Sequence, residues 1–284
     1  MALYRRMLVC IDGSEESFHA FEEAVRFAKE KNITVFVLTV APSYYGDLSL
    51  VGIGVSVEEI CKPYKENLSK AKDIAEKHQV LVKTLYEEGE PFEKIIDVGE
   101  EISADLIIMG KKGISALQQV LIGSVTERVI GYSNTDVLVV PKNSTIKWNR
   151  CLVAVDISKY GEKVCNKAIE IARDFQSQIN LISVVEVPSA VFAVKPELYD
   201  EQVNKTKKYL KELELKFHGE NMSPRIFIEE GEPYKKILEK ADEIQADIIV
   251  VSSHGRTGLK RLLMGSVCQR VIGLSKIPVL VVKS

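Results

Sequence analysis

Glycine, serine and basic residues recur in one stretch whose spacing suits phosphate. The segment GKKGISALQQVLIGS fills residues 110–124, and SSHGRTGLKRLLMGS fills residues 252–266, 142 positions later. In each, nine residues separate one glycine (Gly113 or Gly255) from a Gly-Ser pair (Gly123-Ser124 or Gly265-Ser266). Gly110 adds a further small position to the first copy, where Ser252 stands in the second. An apolar run precedes both copies, which describes a strand leaving through a glycine-rich turn into a helix. Small residues let backbone N–H groups approach a ligand closely. The helix N-terminus adds orphan donors and positive dipole charge, and both features suit phosphate. The competing reading is a tight turn that needs glycine for its backbone and binds nothing.

The elements that must hold these loops also occur twice. MLVCIDGSEES (7–17) answers CLVAVDISKYG (151–161) at an offset of 144, and YEEGEPFEKIIDVGEEISADLIIMG (86–110) answers IEEGEPYKKILEKADEIQADIIVVS (228–252) at 142. LIGSVTERVIGYSNTDVLVV (121–140) likewise answers LMGSVCQRVIGLSKIPVLVV (263–282). A period this long is duplication of a whole domain, because solenoid repeats run to about 20–50 residues. The expected domains are 1–142 and 150–284, joined by the short polar link PKNSTIKWN.

Each copy alternates strand and helix, β-α-β-α-β-α-β-α-β. In the first, the spacing predicts strands at 7–11, 34–40, 81–86, 105–109 and 137–140. Ser14 should cap the first helix, with Glu15 and Glu16 in its first turn and Phe18, Phe21, Val25 and Ala28 buried. A second helix is expected over roughly 57–78, a third with Pro91 at its first position, and a fourth over 124–132. Such alternation implies a parallel sheet with right-handed crossovers and helices on both faces. Ligands then bind beyond the carboxyl ends of the strands, where the winding reverses. Asp12-Gly13-Ser14 follows strand one and Gly110–Gly113 follows strand four. Were those strands neighbours, an acidic side chain and a phosphate loop would face one crevice, an arrangement that binds a nucleotide.

Bulk composition excludes several classes. The chain has 284 residues, 46% of them apolar, enough for a core in each half. No run approaches the roughly 18 apolar residues of a membrane span. The N-terminus lacks a signal-peptide cleavage pattern, so a cytoplasmic protein is expected. The five cysteines are scattered and form no C-x-x-C pair, and the four histidines show no metal-ligand spacing. A net charge of −2 argues against a nucleic-acid footprint. Residues 1–142 carry 16 Lys/Arg against 22 Asp/Glu, and residues 143–284 carry 22 against 18, so the halves have opposite net charge. That would favour their docking, although chance drift on two solvated surfaces explains it equally well.

A strand ending V-D-G-S or its near match I-D-G-S, a G-E-P helix start and G-x2-G-x9-G-S before V-x-x-R-V-I together resemble the universal stress protein family. The resemblance runs over essentially the whole chain, twice. It implies two tandem five-stranded α/β domains of the Rossmann-like type, strand order 3-2-1-4-5, each able to bind ATP or AMP, with Mg2+ or Mn2+ as a potential companion. Carried over by position, Asp12 and Gly13 would lie near the ribose and adenine, and the backbone at Val40 would meet the adenine edge. Gly110, Gly113, Gly123 and Ser124 would wrap the phosphates. The counterparts are Asp156, Val184, Ser252, Gly255, Gly265 and Ser266. The second copy departs twice: Asp156-Ile157-Ser158 lacks the glycine after the aspartate, and Ser252 replaces Gly110. On that count the first site is the better formed. The family also implies dimers across strand five, so Val137–Val140 and Val279–Val282 are expected to pair as an internal pseudo-dimer. Two such chains could associate further as a homodimer.

Other residues carry competing readings. Lys111, Lys112, His254 and Arg256 could meet phosphate or simply be solvated. Arg128 and Arg270 suit pairing with carboxylates better than ligand contact. Cys10 and Cys151 belong to strands and therefore to the core. Tyr209, Leu213 and Phe217 share one face of a packing helix, and Tyr44 and Tyr45 could cover a ligand. No Walker loop, nucleophile elbow or paired catalytic carboxylate appears, so a binding protein leads over a slow hydrolase. A ligand-free dimerisation scaffold is the remaining alternative.

Overall fold

The computed structural model describes residues 2–43, 57–113, 122–186, 197–254 and 264–283. Its contacts divide the chain into two compact units, Tyr4–Ile146 and Lys147–Ser284 with Met1–Leu3.

The first unit runs β1 (Arg6–Cys10), α1 (Glu15–Lys31), β2 (Thr34–Ala41), α2 (Val57–Lys77), β3 (Val82–Glu88), α3 (Pro91–Glu101), β4 (Leu106–Gly110), α4 (Ser124–Tyr132) and β5 (Asp136–Val140). Its strands lie in the order β3-β2-β1-β4-β5 and the pairs within it are parallel. Val9 stands opposite Val37 on one side and Ile108 on the other, so β1 and β4 meet where the winding reverses. β1, β4 and β5 read as continuous apolar runs because helices cover both faces. α1 and α2 pack together in one layer, α3 and α4 in the other.

Local sequence explains the element ends. Ser14 caps α1, its side chain accepting from the Ser17 N–H at 3.1 Å. Phe18, Phe21, Val25 and Ala28 form the buried stripe of that helix. Asn32 closes it in the left-handed region, its N–H returning to the Ala28 carbonyl. Pro91 occupies the start of α3, where its missing N–H costs nothing.

The second unit repeats the plan with β6 (Arg150–Ala154), α5 (Lys159–Phe175), β7 (Gln178–Val185), α6 (Glu197–Gly219), β8 (Arg225–Glu230), α7 (Pro233–Glu243), β9 (Ile248–Ser252), α8 (Ser266–Leu274) and β10 (Val279–Val282). Its order is β8-β7-β6-β9-β10, all pairs parallel. Leu213 and Phe217 are buried on α6, as their spacing requires. Cys10 and Cys151 sit in strand cores, and all five cysteines are buried and unbridged.

Candidate functional site

Both sites assemble where β1 meets β4, or β6 meets β9. In the first unit Asp12 leaves β1 and folds back on itself. Its Oδ1 accepts from the Ser14 N–H at 3.0 Å and from the Ser14 hydroxyl at 2.6 Å. Gly13 takes φ 92°, a left-handed value that glycine tolerates best. The second unit reaches the same cap by another turn. Ile157 keeps a negative φ, the Ser158 N–H donates to the Asp156 carbonyl at 2.8 Å, and the Ser158 hydroxyl donates to Asp156 Oδ1 at 2.6 Å. The missing glycine is therefore accommodated with the aspartate still anchored by its serine.

The glycine loop closes identically in both units. The Gly123 N–H donates to the Lys111 carbonyl, and the Gly265 N–H to the Ser253 carbonyl, each at 2.9 Å. Gly123 and Gly265 are the N-caps of α4 and α8, with φ near −60° and no side-chain cap. α1 and α5 instead carry serine caps. A glycine cap has no side chain to satisfy the first-turn N–H groups, so these two helix ends present donors to whatever enters. Ser124 and Ser266 add a hydroxyl at the first position of each helix.

Asp12 and Gly113 stand face to face. A Cβ on Gly113 would lie 2.3 Å from Asp12 Oδ2, so only glycine fits beside that carboxylate. Gly110 is small for a different reason. A Cβ there would meet the Glu16 carbonyl carbon at 3.0 Å and the Ser17 nitrogen at 3.1 Å, because the start of α1 crosses the end of β4. Its carbonyl accepts the buried Thr126 hydroxyl at 3.1 Å, tying β4 to α4. Val40, the last residue but one of β2, stands opposite Glu87 of β3, one strand away from Asp12.

In the second unit the corresponding residues enclose a cavity of about 310 Å³. Asp156, Val184, Ser252, Gly265 and Ser266 all line it, together with His254. Gly255, and Tyr44 and Tyr45 of the first half, lie outside the described residues. The His254 ring stacks on Tyr160 at 5.5 Å, and its Nδ1 lies 2.9 Å from the Ser253 hydroxyl. Burial, with the charge of Lys283 behind it, holds the His254 imidazole below its ordinary range. Cys268 forms part of the wall, and burial pushes its thiol up to about 12, so it lines the cavity as a neutral group.

Three features escaped the sequence. Tyr64 of α2 and Tyr209 of α6 feel the charges of the two aspartates. Burial and then the charge of Asp12 raise the Tyr64 phenol, and burial and then Asp156 raise that of Tyr209. A Cβ on Gly161 would lie 2.1 Å from the Asp156 carbonyl oxygen and 2.7 Å from the Tyr209 hydroxyl, so the glycine admits both. Glu16 is the third: its Oε2 accepts the backbone N–H of Lys112, inside the glycine loop, at 2.8 Å. Arg128 and Arg270 do pair with carboxylates, Glu90 at 3.0 Å and Glu232 at 2.7 Å, while lying over Phe92 and Tyr234.

A sequence model of the universal stress protein family matches residues 3–141 and again residues 147–283. The chain belongs to the universal stress protein family. A universal stress protein of Methanocaldococcus jannaschii is 37% identical over 142 residues, 49% of this chain and 84% of that protein. The crystal structure of a universal stress protein from Archaeoglobus fulgidus is 25% identical and superposes with a TM-score of 0.76, covering 98% of both chains. Another universal stress protein, solved in complex with cAMP, is 25% identical across 49% of this chain and 98% of its own, with a TM-score of 0.40. Among the described residues, no helix is long and apolar enough to cross a membrane, and no cluster of His, Cys, Asp or Glu is placed to hold a metal ion.

Proposed function

We propose that each domain binds one adenine nucleotide, ATP or AMP, and that the protein reports nucleotide state as part of a cytoplasmic stress response. One observation carries this reading: the five described residues that the family motif assigns to the second site all line a single cavity of about 310 Å³. That volume lies at the lower end of the roughly 300–1,000 Å³ typical of small-molecule pockets.

The division of labour follows from the chemistry of the lining. First-turn N–H groups of α8 and the Ser266 hydroxyl are donors, which suits phosphate oxygens. Asp156, held by Ser158, offers acceptor oxygens to ribose hydroxyls. Val184 lies beyond Ile182, the last residue of β7 paired with β6, so its backbone can pair with the polar edge of a base while Ile182 and Ile237 supply apolar contact. In the first domain Asp12, Gly13, Val40, Gly110, Gly113, Gly123 and Ser124 take the corresponding places. A divalent ion would enter with the phosphates, since no described cluster supplies three protein ligands.

The test is direct. Protein purified without added nucleotide is denatured, and the supernatant is separated by anion exchange against ATP, ADP and AMP. Released nucleotide, or a thermal shift with ATP or AMP on empty protein, supports the reading. Empty protein that shows no shift with either ligand refutes it.

A further inference from the structure

The two glycine loops share one backbone closure but differ in what rests on them. In the first domain Glu16, in the opening turn of α1, reaches across the end of β4 and accepts the Lys112 N–H at 2.8 Å. That donor belongs to the stretch that meets the start of α4: a Cβ on Gly123 would lie 3.4 Å from the Gly113 nitrogen and 3.5 Å from the Lys112 Cα. Lys111 feels the same carboxylate, whose charge opposes the effect of its burial. A carboxylate hydrogen-bonded to a loop N–H beside a helix N-terminus presents the same chemistry as a phosphate oxygen.

The second domain places different groups at the matching positions. Tyr160 stands where Glu16 stands, and His254 where Lys112 stands. Their rings stack at 5.5 Å with an interplanar angle of 26°. Tyr160 brings no negative charge to the loop, and His254, on which it stacks, lines the cavity.

We propose that Glu16 is a built-in anion of the first phosphate loop, so that the two domains discriminate differently by phosphate. The second domain accepts a polyphosphate directly. The first must expel its own carboxylate, which disfavours ATP there relative to ligands with fewer phosphates. This rests on the adenine-nucleotide reading above, and it reverses the order suggested by counting small residues. Gly110, the residue that made the first loop look better formed, is small because α1 packs on it.

The experiment titrates the full-length protein with ATP and with adenosine by calorimetry. A Ser266→Asp background silences the second loop, leaving the first to be read alone. Glu16→Gln is expected to raise ATP affinity in that background roughly tenfold or more, the worth of one displaced charged hydrogen bond. Adenosine affinity should not move. The reciprocal Tyr160→Glu, in a Ser124→Asp background, should lower second-domain ATP affinity by a similar factor. Glu16→Asp keeps the first-turn charge of α1 but is one methylene shorter, and should give part of the gain if Glu16→Gln folds poorly. ATP binding that is unchanged or weakened by both Glu16 variants would overturn the proposal and make Glu16 a staple of the loop. A protein that binds neither ATP nor adenosine in any background would instead refute the nucleotide reading, and this inference with it.

Discussion

Replacing Gly113 by alanine tests the geometry of the first site most sharply. The new Cβ would lie 2.3 Å from Asp12 Oδ2. A carbon–oxygen contact needs roughly 3.3 Å, so the carboxylate must retreat by about 1 Å. It is not free to do so, because Oδ1 accepts from both the N–H and the hydroxyl of Ser14. Losing about one hydrogen bond to a charged acceptor costs about 2 kcal/mol. For a domain of this size that corresponds to a fall in Tm of roughly 6 °C. The assay is a double-mutant cycle by urea denaturation with Gly113→Ala, Asp12→Ala and the pair. Asp12→Ala removes the clashing oxygen, so Gly113→Ala should cost little in that background, giving a coupling close to the single-mutant cost. Equal costs in both backgrounds, or a loss below about 0.5 kcal/mol in the parent, would refute the claim that these residues face each other.

Other outcomes follow from the same structure. Arg128→Ala and Arg270→Ala should each cost less than about 1 kcal/mol, since both ion pairs are exposed, and should leave nucleotide affinity unchanged by calorimetry. A marked affinity loss would give those arginines a ligand role. His254 is held below its ordinary range in the folded state, so the unfolded chain binds its proton more readily. Its stabilising contribution is complete above about pH 6.5 and falls away as the pH drops through the lowered folded value. His254→Gln should flatten that part of the stability–pH curve, measured as urea midpoints from pH 7.5 to 5. A curve steeper than that of the parent would contradict the shift.

Much of this was legible in the chain. Doubly buried strands read as apolar runs, the caps at Ser14 and Pro91 stood where helix chemistry puts them, and α4 spans Ser124–Tyr132 as its periodicity indicates. The opposition of Asp12 and Gly113 could be inferred because the switch point puts β1 beside β4. What stayed hidden depends on contacts between distant segments. Gly110 looks like a ligand-facing glycine until α1 is seen crossing β4. Ile157 looks like a defect until the alternative turn at Asp156 is seen to need no positive φ. Glu16 reads as an ordinary first-turn acid, because its partner is a backbone N–H 96 residues away.

The central claim is that phosphate binds at the glycine-capped starts of α4 and α8. Calorimetric titration of nucleotide-free protein with ATP, comparing the parent with the Ser124→Asp/Ser266→Asp double variant, tests it most directly. An aspartate at the first helical position suits the dipole, so the variant should fold and be at least as stable, by about 0.3–1 kcal/mol per site at low salt. It should nevertheless lose ATP binding, because its charges occupy the places of the phosphates. ATP binding that survives undiminished in the folded double variant would contradict the account.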